Sequence, residues 1–116
     1  MRNFQELSIW QRSHQLTLKI YLLTRTFPND ELYGLTSQIR RSSASVPTNI
    51  AEGCGRNSDA ELKRFLTIAS GSISELEYQV LLSKDISYLP LNIYQELTTE
   101  IIEIRKMIYA FIQKLK

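Results

Sequence analysis

The chain reads as an all-α protein, an antiparallel up-down-up-down four-helix bundle whose second helix is kinked and whose first helix demands a partner. Three observations predict this. Apolar residues recur at steps of three, four and seven in four segments, and no segment alternates apolar with polar as a strand would. Proline, glycine and capping residues separate those segments at short intervals. The first segment is apolar on two sides, more than one small subunit can cover.

The first helix is predicted from about Glu6 to Phe27. Ile9, Leu16, Ile20, Leu23 and Phe27 share one stripe. Leu7, Trp10, Leu18, Tyr21 and Leu22 form a second apolar zone on roughly the opposite side. A helix with two apolar faces needs two neighbours, either within a bundle or across a subunit interface. With so few elements available to wrap it, the interface is the favoured reading.

Phe27-Pro28-Asn29-Asp30 stops that helix and starts the next, with Asn29 or Asp30 as the cap. The second segment sets Leu32, Leu35, Ile39, Val46 and Ile50 on one face. Pro47 lies inside it, removes one backbone hydrogen bond and crowds the carbonyl of Ser43. Because the apolar phase runs through the proline without a slip, a kink is expected and not a break. Gly53 and Gly55 supply the stop.

Ser58 followed by Glu61 is a capping-box pattern that opens the third helix. Its core face is Leu62, Phe65, Leu66, Ala69, Ile73, Leu76 and Val80, and it frays near Asp85. Ile86 to Leu89 form the connection, and Pro90 suits the first turn of the fourth helix. Tyr94, Leu97, Ile101, Ile104, Ile108, Phe111 and Leu115 then repeat without a miss, the pattern of a helix packed lengthwise. Residues 1–116 are read as one domain.

Bulk composition narrows the function. Hydrophobic content of 43% with 22% charged is ordinary for a folded globular protein. The single cysteine, Cys54, excludes an internal disulfide and a Cys-based zinc site. No apolar run approaches a membrane span, and Met1 to Glu6 is not a signal peptide, so a cytoplasmic location and no membrane partner are expected. A net charge of +2 from 14 basic and 12 acidic residues says little until the charges are placed.

No catalytic or metal constellation emerges, and neither an enzyme nor a cofactor is expected. The glycines of Glu52-Gly53-Cys54-Gly55-Arg56 lack the preceding strand that a phosphate loop needs. His14 is the only histidine, which removes a His-based metal pair and leaves a packed or interface role. Some helical ribonucleases use an arginine and a histidine, but Arg12 and His14 stand too close in sequence. Glu96, Glu100 and Glu103 lack the Glu-x-x-His partners of di-iron bundles and read as a solvated face.

Folding the second and third helices into a hairpin about residue 57 sets Ser42, Ser43, Ala44 and Ser45 level with Ser72, Gly71, Ser70 and Ala69. Close helix packing is the preferred reading of these small residues, a polar ligand cavity the other. The same topology gathers Arg2, Arg56, Lys63, Arg64, Lys114 and Lys116 at one end, against Glu6, Asp59 and Glu61. Arg40 and Arg41 lie further along the second helix and either extend this basic patch or pair with Glu75 and Glu77. Arg40, Arg41, Arg56, Lys63 and Arg64 are the candidate nucleic-acid contacts.

The stretch from Gln38 to Ser58 carries Gln38-Ile39-Arg40-Arg41, Ser45-Val46-Pro47 and Asn49-Ile50-Ala51-Glu52-Gly53. With Trp10-Gln11, Phe27-Pro28, Glu31-Leu32-Tyr33-Gly34-Leu35, Gly71-Ser72 and Glu75-Leu76-Glu77, it resembles the four-helix bundle or 23S rRNA intervening-sequence protein family. That family is related to the accessory proteins of diversity-generating retroelements. The resemblance implies an antiparallel bundle assembled as a ring, a homopentamer, and a non-enzymatic accessory role. It implies RNA or DNA as a partner, and a reverse transcriptase or another protein as a second. Ser42 and Ser43 stand where the family pattern has alanine-like residues. The alternative is a protein-interaction scaffold with no nucleic-acid role.

Overall fold

A computed structural model describes residues 2–115; Lys116, counted in the basic end, lies outside the described residues. Among the described residues the chain is all-α, with four helices and no strand: α1 Ser8–Leu23, α2 Leu35–Cys54, α3 Asp59–Asp85 and α4 Leu91–Lys114. Short 3-10 turns at Phe4–Glu6, Thr24–Thr26 and Asn29–Glu31 flank α1 and precede α2. The body measures 43 × 24 × 20 Å. At about 1.5 Å per residue, α3 alone spans roughly 40 Å, so the helices lie along the long axis.

Helix α1 is shorter than its apolar pattern suggested. Thr24 donates its hydroxyl to the Ile20 carbonyl at 2.8 Å and Thr26 to that of Leu23 at 2.9 Å. Such back-bonding tightens the last turn into 3-10 geometry. Pro28 then holds Phe27 in an extended conformation.

The start of α2 also differs from expectation. Neither Asn29 nor Asp30 caps it; the helix begins at Leu35, whose N–H donates to the Glu31 carboxylate at 3.2 Å. The intervening turn breaks the apolar phase, and Leu32 leaves the core at 49% exposure. From Leu35 onward the stripe holds: Leu35, Ile39, Val46 and Ile50 are buried, and α2 runs through Pro47 as one helix.

Helix α3 begins as its cap specifies, with Ser58 Oγ accepting from the Glu61 N–H at 3.2 Å. Leu62, Phe65, Leu66, Ala69, Ile73, Leu76 and Val80 are all buried. Helix α4 follows Pro90 and buries Leu97, Ile101, Ile104 and Ile108. With Ile9, Leu16, Ile20 and Phe27 of the first segment these residues, Phe65 apart, form one continuous core, and its burial is the main force holding the helices together.

Contacts between segments distant in sequence fix what meets at each end. The Arg2 N–H donates to the Cys54 carbonyl at 3.0 Å, and the Arg2 guanidinium lies 5.4 Å from the Phe111 ring centre. The N-terminal segment, the end of α2 and the end of α4 therefore adjoin. At the other end Phe27 packs on Tyr88 at 5.2 Å, and the Tyr88 hydroxyl donates to Glu31 at 2.9 Å.

The small-residue hairpin is displaced from the register expected for a fold about residue 57. Ser45 and Ser72 share a hydrogen bond at 2.8 Å, and Ser42 meets Gln79, not Ser72. Side chains on a helix lean toward its N-terminus. On α2 that lean points away from the turn and on α3 toward it, so each α2 residue meets an α3 residue further along.

Candidate nucleic-acid and assembly surfaces

Helical geometry splits the second apolar zone of α1 in two. At about 100° per residue, Leu18 and Leu22 align with Gln11 and Gln15, while Trp10 and Tyr21 align with His14 and Thr17. Leu18 and Leu22 are 50% and 60% exposed, with no described neighbour to cover them. Trp10 and Leu7 are half-buried against the core. Trp10 stacks on His14 at 4.8 Å and meets Phe4 edge-on at 4.9 Å. These rings, with Thr17, Ala44, Pro47 and Thr48, line a groove between α1 and α2 of about 390 Å³. His14 is thus a packed residue of an aromatic cluster.

The five predicted basic contacts are not equivalent. Arg40 is turned onto α1: its Nε donates to Thr24 Oγ1 at 2.8 Å, an Nη to the Tyr21 carbonyl at 3.5 Å, and its guanidinium covers the Tyr21 ring at 5.0 Å. Arg56 pairs with Glu52 at 3.1 Å and lies 4.8 Å from the Phe65 ring centre. Arg64 pairs with Glu61 at 3.1 Å and lies 4.5 Å from the same ring. The hydrogen bond from Arg64 holds the Glu61 carboxyl below the usual carboxylate range and raises the Arg64 guanidinium. Lys63 and Arg41 make no ion pair among the described residues.

Arg56, Lys63 and Arg64 flank the α2–α3 turn, where Arg2 also lies beside Arg56, Asn57 and Asp59. Exposed ion pairs such as Arg56–Glu52 contribute about 0–1 kcal/mol each. Arg41 pairs with neither Glu75 nor Glu77. Glu77 is held by Arg105 of α4, and Arg41 faces a cleft with Gln38, Ser42, Ser45 and Glu75.

The polar ties that form between helices are not the ones the sequence suggested. Glu100, read as solvated, accepts from Arg12 Nε at 2.9 Å, and an Arg12 Nη reaches Met107 Sδ at 3.4 Å. The hydrogen bond to Glu100 raises the Arg12 guanidinium further. Gln79 is buried at 5% exposure and joins Ser42 to Glu75. Opposite charges far apart in sequence carry no periodic signal, so only tertiary register reveals such pairs. Cys54 is buried, and burial pushes its thiol up, away from a reactive thiolate.

Among the described residues no group of three or more His, Cys, Asp or Glu side chains is placed to hold a metal, and no helix is long and apolar enough to cross a membrane.

A family model described as 23S rRNA-intervening sequence protein matches residues 5–110. Among solved structures the chain is similar to a protein of unknown function from the S23 ribosomal protein family of Bacteroides thetaiotaomicron VPI-5482. The two share 25% identity over 91% of this chain and 96% of that one, with a TM-score of 0.85. No curated protein matches the chain.

Proposed function

The chain belongs to the 23S rRNA-intervening sequence protein family, and from that premise we propose a non-enzymatic homo-oligomer that binds RNA or DNA through a basic surface. In this reading each subunit is a single-domain antiparallel up-down-up-down bundle, bent at Pro47, and copies close into a ring of five. Leu18 and Leu22 form the centre of the subunit contact, with Leu7, Trp10 and Tyr21 of the adjoining face at its margin. The observation that carries the reading is the clustering of Arg56, Lys63 and Arg64 about the α2–α3 turn, with Arg2 adjoining. A ring would repeat that cluster around one rim and multiply its potential. Arg56, Lys63 and Arg64 contact phosphates, Arg41 meets the same strand from its cleft, and Arg40 contributes little because its guanidinium is committed to Tyr21 and Thr24.

Phosphate contact of this kind releases counterions, so binding falls steeply with salt and reads little sequence. Gel shift against structured RNA and duplex DNA at two salt concentrations is the test. The expected result is retardation that weakens with salt and disappears when Arg56, Lys63 and Arg64 are changed to Glu. Unchanged mobility throughout would favour a protein-interaction scaffold whose partner is another protein, a reverse transcriptase among the candidates. The pairing of Arg56 and Arg64 with Glu52 and Glu61 favours that second reading, since it neutralises two of the three turn cations.

A further inference from the structure

The cleft between α2 and α3 has a volume of about 430 Å³ and is lined by Gln38, Arg41, Ser42, Ser45 and Glu75. No apolar side chain lines it, so burying hydrocarbon is not its use. Its polar groups are already sorted by sign and by role. Arg41, on the α2 wall, makes no hydrogen bond or ion pair among the described residues and offers donors only. Glu75, on the α3 wall, accepts one long hydrogen bond from Gln79 Nε2 at 3.4 Å and offers acceptors only. Beneath them the buried Ser42 and Gln79 bond each other, and Ser45 is held by Ser72 at 2.8 Å and Asn49 at 3.0 Å. The floor is fixed while the two walls keep their hydrogen-bonding capacity.

We propose that this cleft binds a guanine base. The inference rests on the nucleic-acid reading above and deepens it by naming what a bound strand presents. Among the four bases only guanine carries two adjacent acceptors, N7 and O6, and two adjacent donors, N1–H and N2–H. The first pair suits a guanidinium bidentately and the second a carboxylate. Arg41 takes O6 and N7, Glu75 takes N1–H and N2–H, and the Gln38 amide and serine hydroxyls border the site. Using the Watson–Crick edge requires an unpaired base, as in the loops and single strands where RNA is read by sequence. The turn cations position the strand, and the cleft selects within it.

The test is fluorescence anisotropy at low salt with labelled UUUGUUU and UUUAUUU, on wild type, Glu75→Gln and Arg41→Ala. Both side chains are exposed, so neither change threatens the core. The proposal expects UUUGUUU to bind roughly tenfold tighter, near the low end of what a bidentate base contact supplies. Glu75→Gln should abolish that preference while leaving UUUAUUU unaffected. Equal affinity for the two strands in wild type overturns the guanine site and leaves the phosphate-binding reading standing. If neither strand binds, calorimetry with free GMP and AMP decides. GMP uptake that Glu75→Gln removes supports the cleft without the surface reading, and no GMP uptake overturns both.

Discussion

The Thr17 hydroxyl on α1 donates at 2.9 Å to the Ser43 carbonyl on α2, the acceptor that Pro47 leaves without its helical partner. A residue at position 47 would ordinarily give its N–H to that carbonyl, four residues back, and proline has none to give. Thr17 Oγ1 also lies 3.0 Å from the Ser13 carbonyl, which already serves α1's own ladder. The single hydroxyl proton is therefore needed most at Ser43. A cost written into α2 is met by a side chain of α1, which couples proline tolerance to the packing of the two helices.

Thr17→Val should destabilise the protein by about 1–3 kcal/mol, because a buried carbonyl loses its donor. In a Pro47→Ala background the restored backbone N–H should absorb most of that loss. Chemical denaturation of the two single variants and the double variant measures the coupling. Equal costs of Thr17→Val in both backgrounds would contradict the link.

Gly53 of α2 and Gly71 of α3 should respond in opposite directions. A Cβ at Gly53 would lie 2.9 Å from Leu62 Cδ1 and 2.9 Å from Phe65 Cβ. The leucine methyl can swing aside, but the phenylalanine Cβ is fixed to its helix. Gly53→Ala should therefore cost about 1–3 kcal/mol, as overpacking does. At Gly71 a Cβ meets nothing within 4 Å, and Gly71→Ala should stabilise α3 by about 0.5–1 kcal/mol. Denaturation midpoints that move the same way for both would refute this packing.

The tie between Tyr88 and Glu31 predicts an alkaline limb of instability. Donating to the Glu31 carboxylate, with burial adding to it, raises the Tyr88 phenol above the usual tyrosine value of about 10. Below that value both folded and unfolded chains keep the proton, and the contribution is fully present. As pH rises past it the unfolded chain releases the proton first, so stability falls until the raised folded value is passed. Thermal unfolding from neutral to alkaline pH should show this fall, and Tyr88→Phe should flatten it. A Tyr88→Phe profile with the same alkaline slope would assign the limb to other groups.

Much of the architecture was legible because period and punctuation agree. The Ser58 cap, the buried run from Leu62 to Val80 and the repeat from Leu97 to Ile108 all appear where spacing put them. The misses have separate physical causes. Leu32 looked in phase with Leu35, but one carboxylate, that of Glu31, moved the start of α2 past it. The serine register slipped because side chains lean along their helices, which numbering about a turn ignores. At the candidate surfaces, residue type identified the cations but not their neighbours. Arg40 and Arg41 are adjacent in sequence, yet one lies on an aromatic ring and the other faces an open cleft.

Assembly through α1 is the claim on which the concentrated basic rim depends. Sedimentation equilibrium at micromolar concentration addresses it most directly, with Leu18→Glu/Leu22→Glu as the comparison. The account predicts a wild-type mass several times 13.5 kDa, five times if the ring closes as proposed, and a fall toward the single-chain value in the variant. A wild-type mass of 13.5 kDa would contradict it.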